Sequence, residues 1–158
     1  MGEHGDEGRR REQLIENLQG YASGQSELGR EFARHEHMHV TDSAAIVEIL
    51  RAEGRGLPLT PARLAERVGL SSGATSILLN RLEDAGHVAR RRGHSDRRLV
   101  TLHSTPSVHA SADAFFSPLR ARIDELMDRY TIEQLDLVDE FVTDMRRAVE
   151  NHLQNRPG

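Results

Sequence analysis

The feature that most constrains the fold is the run L-P-L-T-P-A-R-L-A-E-R-V-G-L-S-S-G-A-T-S-I-L-L-N-R-L-E-D-A-G, residues 57–86. Thr60 is a good helix N-cap. Pro61 follows at the first helical position, where the missing N–H costs no hydrogen bond. Gly69 is the residue type that ends a helix in a left-handed conformation. The spacing therefore predicts a short helix between Pro61 and Gly69.

A second helix begins directly after this stop. Ser71 or Ser72 supplies its N-cap, and Gly86 ends it. Its inward face consists of residues spaced by three or four positions: Thr75, Leu78, Leu79 and Leu82. Two short helices joined by a tight turn that contains glycine form a helix-turn-helix.

After Gly86 the pattern changes from helix to strand. The runs H-V-A-R-R and R-L-V-T-L are rich in β-forming residues, and R-G-H-S-D between them is a turn sequence. We therefore expect a β-hairpin, or wing. The wing holds five arginines and one aspartate within residues 87–103, although the whole chain has a net charge of -4. Such a local excess of positive charge favours a polyanionic partner.

Two physical roles follow for this charge. Arginine at a hairpin tip can enter the minor groove of DNA, and flanking arginines can neutralise phosphates. Asp96 stands two positions before Arg98, so its carboxylate can hold that guanidinium and stiffen the tip. The alternative is a solvated surface hairpin in which Asp96 is only a turn residue. The residues expected to contact DNA share an outward position on the second helix or on the wing: Ser72, Gly73, Ser76, Ile77, Asn80, Arg81, Arg90, Asp96, Arg97 and Arg98.

The flanking segments have helical spacing. We expect residues 1–8 to be a disordered tail, helices over 9–40, and further helices over 104–152 with Thr131 as an N-cap. The N-cap of the helix before the glycines of A-E-G-R-G is expected at Thr41 or Asp42. The predicted fold is mainly α with a small β-wing.

Composition excludes several classes of function. The chain has no cysteine, which excludes disulfides, thiolate catalysis and zinc-cysteine sites. It has no apolar run near 18 residues and no apolar core of a signal peptide, so we expect a cytoplasmic protein with no membrane association. No catalytic triad, phosphate loop or paired carboxylate is evident, and we expect no enzyme and no cofactor.

The run from Leu59 to Arg91 and the wing sequence S-D-R-R-L-V-T-L resemble the MarR family of winged-helix transcription regulators. Asp96 to Arg98 match the family's Asp-x-Arg wing. The resemblance implies a winged helix-turn-helix domain over 41–103. It implies an obligate homodimer, with dimerisation helices over 9–40 and 104–152. It also implies a repressor that binds double-stranded DNA at an inverted repeat.

The resemblance further implies a pocket for a small phenolic or anionic effector. The candidate lining residues are aromatic or imidazole side chains on the flanking helices: Phe32, His35, His39, Phe115 and Phe116. His35 and His39 are four positions apart and could instead share a helix face as a metal pair. No second group of ligands with convincing spacing accompanies them, so no metal site is assigned. A metal-responsive regulator and a winged-helix module that binds protein are the alternatives to an effector-controlled repressor.

Overall fold

The computed structural model describes residues 3–92 and 99–155. It divides into two compact units, one up to Asp113 and one from Ala114 onward. The elements follow one another along the chain as α1 Glu3–His35, α2 Val40–Gly54, α3 Pro61–Val68, α4 Ser72–Asp84, β1 Val88–Arg92, β2 Val100–Ser104, α5 Pro106–Met127 and α6 Ile132–Gln154. The expected fold class, mainly α with a small wing, is confirmed. No helix in the described part of the chain is long and apolar enough to cross a membrane.

The helix-turn-helix has the local chemistry expected from its sequence. The Thr60 side chain accepts a hydrogen bond from the Arg63 N–H, and Pro61 occupies the first turn of α3. Gly69 closes α3 with φ 67, a left-handed conformation that glycine adopts without steric cost. The Ser71 side chain caps α4 by accepting from the Ala74 N–H at 3.2 Å. The predicted inward face of α4 is buried along its whole length.

The core of the first unit is formed by buried side chains from its helices and from both strands of the wing. α2 packs against α1, α3 and β2, while α4 packs against α3 and β1. Large side chains with almost no exposure fill the space between them: Phe32, Ile46, Ile49, Leu64, Leu79, Leu82, Leu102 and Val108. The Ser43 hydroxyl also donates to the Gly29 carbonyl at 2.9 Å, which ties α2 to α1.

α1 is longer than the sequence indicates. It begins at Glu3, so the described part of the tail expected to be disordered over 1–8 is helical. Asp6 explains part of this extension, because its carboxylate lies 3.6 Å from the Arg9 guanidinium and 2.9 Å from that of Arg10, one helical turn away. At 1.5 Å per residue, the 33-residue helix is about 50 Å long.

The start of α2 also differs from expectation. The helix begins at Val40 with His39 as its N-cap, and no side chain caps it. Thr41 and Asp42 lie inside the first turn, so the prediction that either is the cap is wrong. Asp42 is only 4% exposed, and its carboxylate accepts two hydrogen bonds from the Arg81 guanidinium of α4, one of them 2.9 Å from Nε to Oδ2. The side chain is therefore used for a tertiary ion pair and not for a cap.

The wing is an antiparallel pair whose register runs from Val88 opposite Ser104 to Arg92 opposite Val100. At the end of the wing where β1 begins and β2 ends, Thr105, the residue after β2, joins the two strands. The Thr105 N–H donates to the His87 carbonyl at 3.0 Å, and its hydroxyl donates to the Gly86 carbonyl at 2.7 Å. The described ranges leave out residues 93–98, so the predicted wing-tip residues Asp96, Arg97 and Arg98 lie outside them.

A carboxylate from α2 anchors the second strand of the wing. Glu53 Oε2 accepts from the Ser104 N–H at 3.1 Å and from its hydroxyl at 2.6 Å. Glu53 Oε1 lies 3.0 Å from Nδ1 of His103. The Leu102 N–H donates to the Leu59 carbonyl at 2.8 Å, which adds the segment before α3 to the edge of the wing. β2 is therefore fixed from two sides.

In the second unit, α6 has a capping box. The Thr131 side chain accepts from the Gln134 N–H, and the Gln134 side chain accepts from the Thr131 N–H at 2.9 Å. Thr131 is therefore the N-cap of α6, as the sequence predicted. Within α6 as described, no residue is buried. Pro118 lies inside α5, which continues past it to Met127.

We expect truncation of the core to be costly. Leu79→Ala removes a buried side chain and should lower the free energy of unfolding by about 2–5 kcal/mol, because the transfer free energy is lost and a cavity remains. Ile77→Ala, two positions away on the exposed side of the same helix, should change it by less than about 0.5 kcal/mol. Urea unfolding at one protein concentration compares the two. Equal losses would contradict the assigned burial of α4.

A second prediction concerns the Asp42–Arg81 pair. Arg81→Ala leaves the Asp42 carboxylate buried without its counter-ion, so it should destabilise the protein more than Asp42→Ala, which leaves a guanidinium that water can reach. Adding Asp42→Ala to Arg81→Ala should recover part of the loss. Thermal unfolding of the two single variants and the double variant measures this coupling. A further loss in the double variant would argue against the pair as a unit.

Candidate nucleic-acid interface

The burial of one side of α4 leaves a polar side facing outward. Ser72, Gly73, Ser76 and Asn80 are exposed, and Ile77 is 67% exposed. A Cβ placed on Gly73 meets no atom within 4 Å apart from its chain neighbours and the adjacent backbone of its own helix, so the surface beside the first turn is open. The sequence-predicted residues of this helix are therefore brought together on one accessible face, which includes the N-terminal end of the helix.

The hydroxyl of Ser76 is oriented by its own helix. Its Oγ donates to the Ser72 carbonyl one turn earlier, at 3.0 Å. Because that bond uses the hydroxyl proton, the remaining capacity of the oxygen is to accept hydrogen bonds. Ser76 therefore presents an acceptor on the outward face.

Arg81 is placed differently from the rest of the predicted set. Its guanidinium holds the buried carboxylate of Asp42, and the hydrogen bond to Asp42 raises the pKa of Arg81 above its usual value. The pair joins the second helix of the helix-turn-helix to α2. This contact supports a structural role for Arg81, and a contact with DNA stays a prediction for it.

Arg90 links the wing to α4. Its Nη1 lies 2.7 Å from Glu83 Oε2, and its backbone N–H donates to Glu83 Oε1 at 3.2 Å. Its Nη2 donates to Asn80 Oδ1 at 3.1 Å. Sequence reasoning named Arg90 and Asn80 but missed Glu83. The available signal was an acidic residue three positions after Asn80, on the last turn before an arginine-rich strand.

The two neighbouring arginines of β1 follow the alternation of a strand, in which successive side chains point to opposite faces. Arg92 shares the face of Arg90, two residues nearer the tip. Arg91 lies on the other face, where it lines a groove of about 330 Å³ together with Glu53, Ser104 and His109. Arg91 and Arg92 are both exposed. β1 therefore offers positive charge on both faces of the wing.

The residues predicted to line an effector pocket are distributed over both units. Phe32 is completely buried in the core, whereas His35 and His39 are exposed. Phe115 and Phe116 belong to the second unit, where their rings pack edge to face with centroids 4.9 Å apart. A groove of about 420 Å³ among α1, α2 and α3 is lined by none of these five. The pocket stays a prediction.

The geometry does not support the proposed metal pair. α1 ends at His35, His37 has a left-handed φ of 53, and His39 is the N-cap of the next helix. The two candidate imidazoles therefore do not share a helix face, because the chain turns between them. Over residues 3–92 and 99–155, no group of three or more potential ligands could hold a metal ion.

The model of the MarR family matches residues 38–99. That segment holds α2, α3, α4 and β1, which include the helix-turn-helix and the first strand of the wing. The sequence therefore matches the family where the structure places the exposed polar face.

Two curated relatives are named as regulators. The chain is 34% identical over 97 residues to the uncharacterized HTH-type transcriptional regulator YcgE of Bacillus subtilis. The aligned segment covers 61% of this chain and 63% of YcgE. The chain is also 32% identical over 119 residues to the HTH-type transcriptional regulator Rv1719 of Mycobacterium tuberculosis, in an alignment that covers 70% of this chain and 45% of Rv1719. The chain thus spans less than two thirds of the length of either relative. These names are those of regulators and not of enzymes, as expected.

A solved structure gives the same fold. Streptococcus pneumoniae FabT in complex with DNA superposes with a TM-score of 0.60 at 20% identity, over 89% of this chain and 98% of that one. At this identity the likeness establishes the winged-helix architecture. The family match over residues 38–99 and this architecture thus agree on a winged helix-turn-helix similar to that of the MarR family.

Proposed function

We propose that the protein is a homodimeric, sequence-specific DNA-binding transcriptional regulator, and that it acts as a repressor at an inverted-repeat operator. The observation that carries this proposal is the exposed polar face of α4, joined through Arg90 to an arginine-rich wing. The relatives named as transcriptional regulators and the fold shared with a DNA-bound protein support it.

α4 has the dimensions and chemistry of a major-groove reader. The major groove admits an α-helix, and the side chains that face it distinguish base pairs by their donors, acceptors and methyl groups. Ser76 and Asn80 carry the polar groups of the outward face, and Ile77 offers an apolar surface to a thymine methyl group. The open first turn, Ser72 and Gly73, is suited to a phosphate at the positive end of the helix.

The wing would add contacts to the sugar-phosphate backbone and the minor groove. Arg91 and Arg92 are exposed at the end of β1, and Arg97 and Arg98 follow in the sequence. In our proposal, Arg97 and Arg98 enter the minor groove while Asp96 holds one guanidinium in place. Several arginines on one hairpin would make binding strongly dependent on salt, because each neutralised phosphate releases counterions.

A second copy of the chain is the partner that fits α6. Large apolar side chains remain exposed along this helix, among them Leu137, Phe141 and Val142. α1 also carries exposed apolar residues, including Leu14 and Tyr21. Exposed apolar surface of this extent indicates an interaction site. A two-fold dimer would place two copies of α4 about 34 Å apart, one turn of DNA. Release by a small phenolic or anionic effector remains a further prediction.

The first test of the proposal is a gel shift with the DNA upstream of the protein's own gene at two salt concentrations. We expect a complex that persists in excess competitor DNA. Arg98→Ala should weaken binding and reduce the slope of log K against log salt by about 0.9, because one positive charge that displaces counterions from the duplex is lost. Arg10→Ala removes the same charge from an exposed position at the start of α1 and is the control.

If Arg98→Ala and Arg10→Ala have the same effect on the slope, the wing does not bring the charge of Arg98 to DNA as proposed. If Arg98→Ala remains dimeric and the wild type binds acidic proteins but no duplex, the chain is a protein-interaction module instead.

The dimer has a separate test. Val142→Asp places a charge on the apolar side of α6 and should convert the dimer to a monomer in sedimentation equilibrium, with loss of operator affinity. Asn151→Asp is the matched control, because it adds the same charge nine residues later, on the opposite side of the helix. A monomeric wild type, or a dimer that tolerates the charge at position 142, would contradict the assignment of α6.

A further inference from the structure

Three side chains form a network between α4 and the wing. Arg90 contacts Glu83 through both its backbone N–H and its guanidinium, at 3.2 Å and 2.7 Å. The same guanidinium donates from Nη2 to Asn80 Oδ1 at 3.1 Å. Arg90 and Glu83 are each about one third exposed, so the network lies at the edge of the proposed DNA-binding face. It connects the side chain best suited to read a base with the strand beside it.

The network decides which way the Asn80 amide is turned. A guanidinium has only donors, so the atom of Asn80 that meets it has to be the oxygen. The opposite orientation would set the amide hydrogens against the guanidinium hydrogens. One of the two lone pairs of Asn80 Oδ1 is therefore used by Arg90, whereas Nδ2 makes no hydrogen bond to any described residue. Both N–H groups of the amide are thus available to a ligand, and the oxygen keeps a single lone pair beside a guanidinium.

Glu83 keeps this arrangement in place. Glu83 Oε1 accepts a hydrogen bond from the backbone N–H of Arg90, and Glu83 Oε2 forms an ion pair with the guanidinium of the same residue. The two contacts limit the rotamers that the long arginine side chain can adopt. They also give Glu83 a counter-ion, so its charge is balanced at a surface that would approach phosphates.

Resting on the proposed function, we propose that Glu83 and Arg90 are positioning residues that make Asn80 read DNA mainly through its amide N–H donors, which selects guanine and disfavours adenine at the base pair it faces. Guanine presents two neighbouring acceptors, N7 and O6, in the major groove. The usual pairing of asparagine with adenine needs the amide oxygen as an acceptor for N6 and the amide nitrogen as a donor to N7. Arg90 already uses one of the two lone pairs of that oxygen, so its guanidinium competes with adenine N6 for it.

The experiment is a selection from randomised DNA duplexes, followed by competition binding with single base-pair changes in the selected sequence. Asn80→Ala identifies the base pair that Asn80 reads, because discrimination there should be lost. In the wild type we expect guanine over adenine at that base pair by roughly 5- to 150-fold. Arg90→Met should lower this ratio at least about fivefold, since the amide is released to turn and accept from adenine.

Two further variants separate base preference from overall charge. Arg92→Met removes the same charge from the same face of β1 and should weaken binding to both duplexes equally, with the ratio unchanged. Glu83→Ala removes a negative charge, so it should strengthen binding overall while the guanine-to-adenine ratio falls. A ratio that moves in the same direction in Arg90→Met and Glu83→Ala, despite opposite changes of charge, would support the positioning role.

The inference is overturned if the base read by Asn80 in the wild type is adenine. It is equally overturned if no base pair depends on Asn80, or if both Arg90→Met and Glu83→Ala keep the wild-type ratio. In each of these cases sequence-specific binding by the wild type would leave the proposed function standing. If the wild type selects no sequence from the library, the proposed function and the inference fail together.

Discussion

One side of α4 packs into the core of the first unit through Leu78, Leu79 and Leu82. This burial determines which side chains the opposite side of the helix exposes. Successive residues of a helix are separated by about 100°, so three fixed side chains orient every other position. The exposure of Ser76 and Asn80 is thus a consequence of apolar packing rather than of any interaction that they make themselves. If α4 rotated about its own axis, its polar side chains would become buried and would no longer be presented to solvent.

Polar contacts between elements supplement this small core. Asp42 and Arg81 join α2 to α4, Glu53 joins α2 to β2, and Glu83 joins α4 to β1. Each contact pairs a carboxylate with a group on a different element, so each one fixes relative orientation where apolar packing alone permits sliding. One arginine of the wing, Arg90, and Arg81 of α4 are engaged in this way. The positive charge left to attract a polyanion therefore comes chiefly from the other arginines of the wing.

The local parts of this architecture could be predicted from the sequence. Thr60, Gly69 and Ser71 act through bonds within three or four residues, and their chemistry is visible in the order of the letters. The partner of Arg81 could not be predicted, because Asp42 is 39 positions away and resembles a helix cap. Glu83 was missed for a similar reason: its role appears only when β1 lies beside α4. His35 and His39 have the spacing of one helix face, but α1 ends at His35 and the chain turns at His37 before α2 begins.

The length of α1 has a mechanical consequence. Phe32 anchors one end of this helix in the core, while its first described turn lies about 40 Å away at 1.5 Å per residue. The helix is therefore a lever with its fulcrum beside α2. A tilt of about 10° at the anchor displaces the far end by about 7 Å, so a repacking too small to disturb the core is amplified into a large movement at the distal turn.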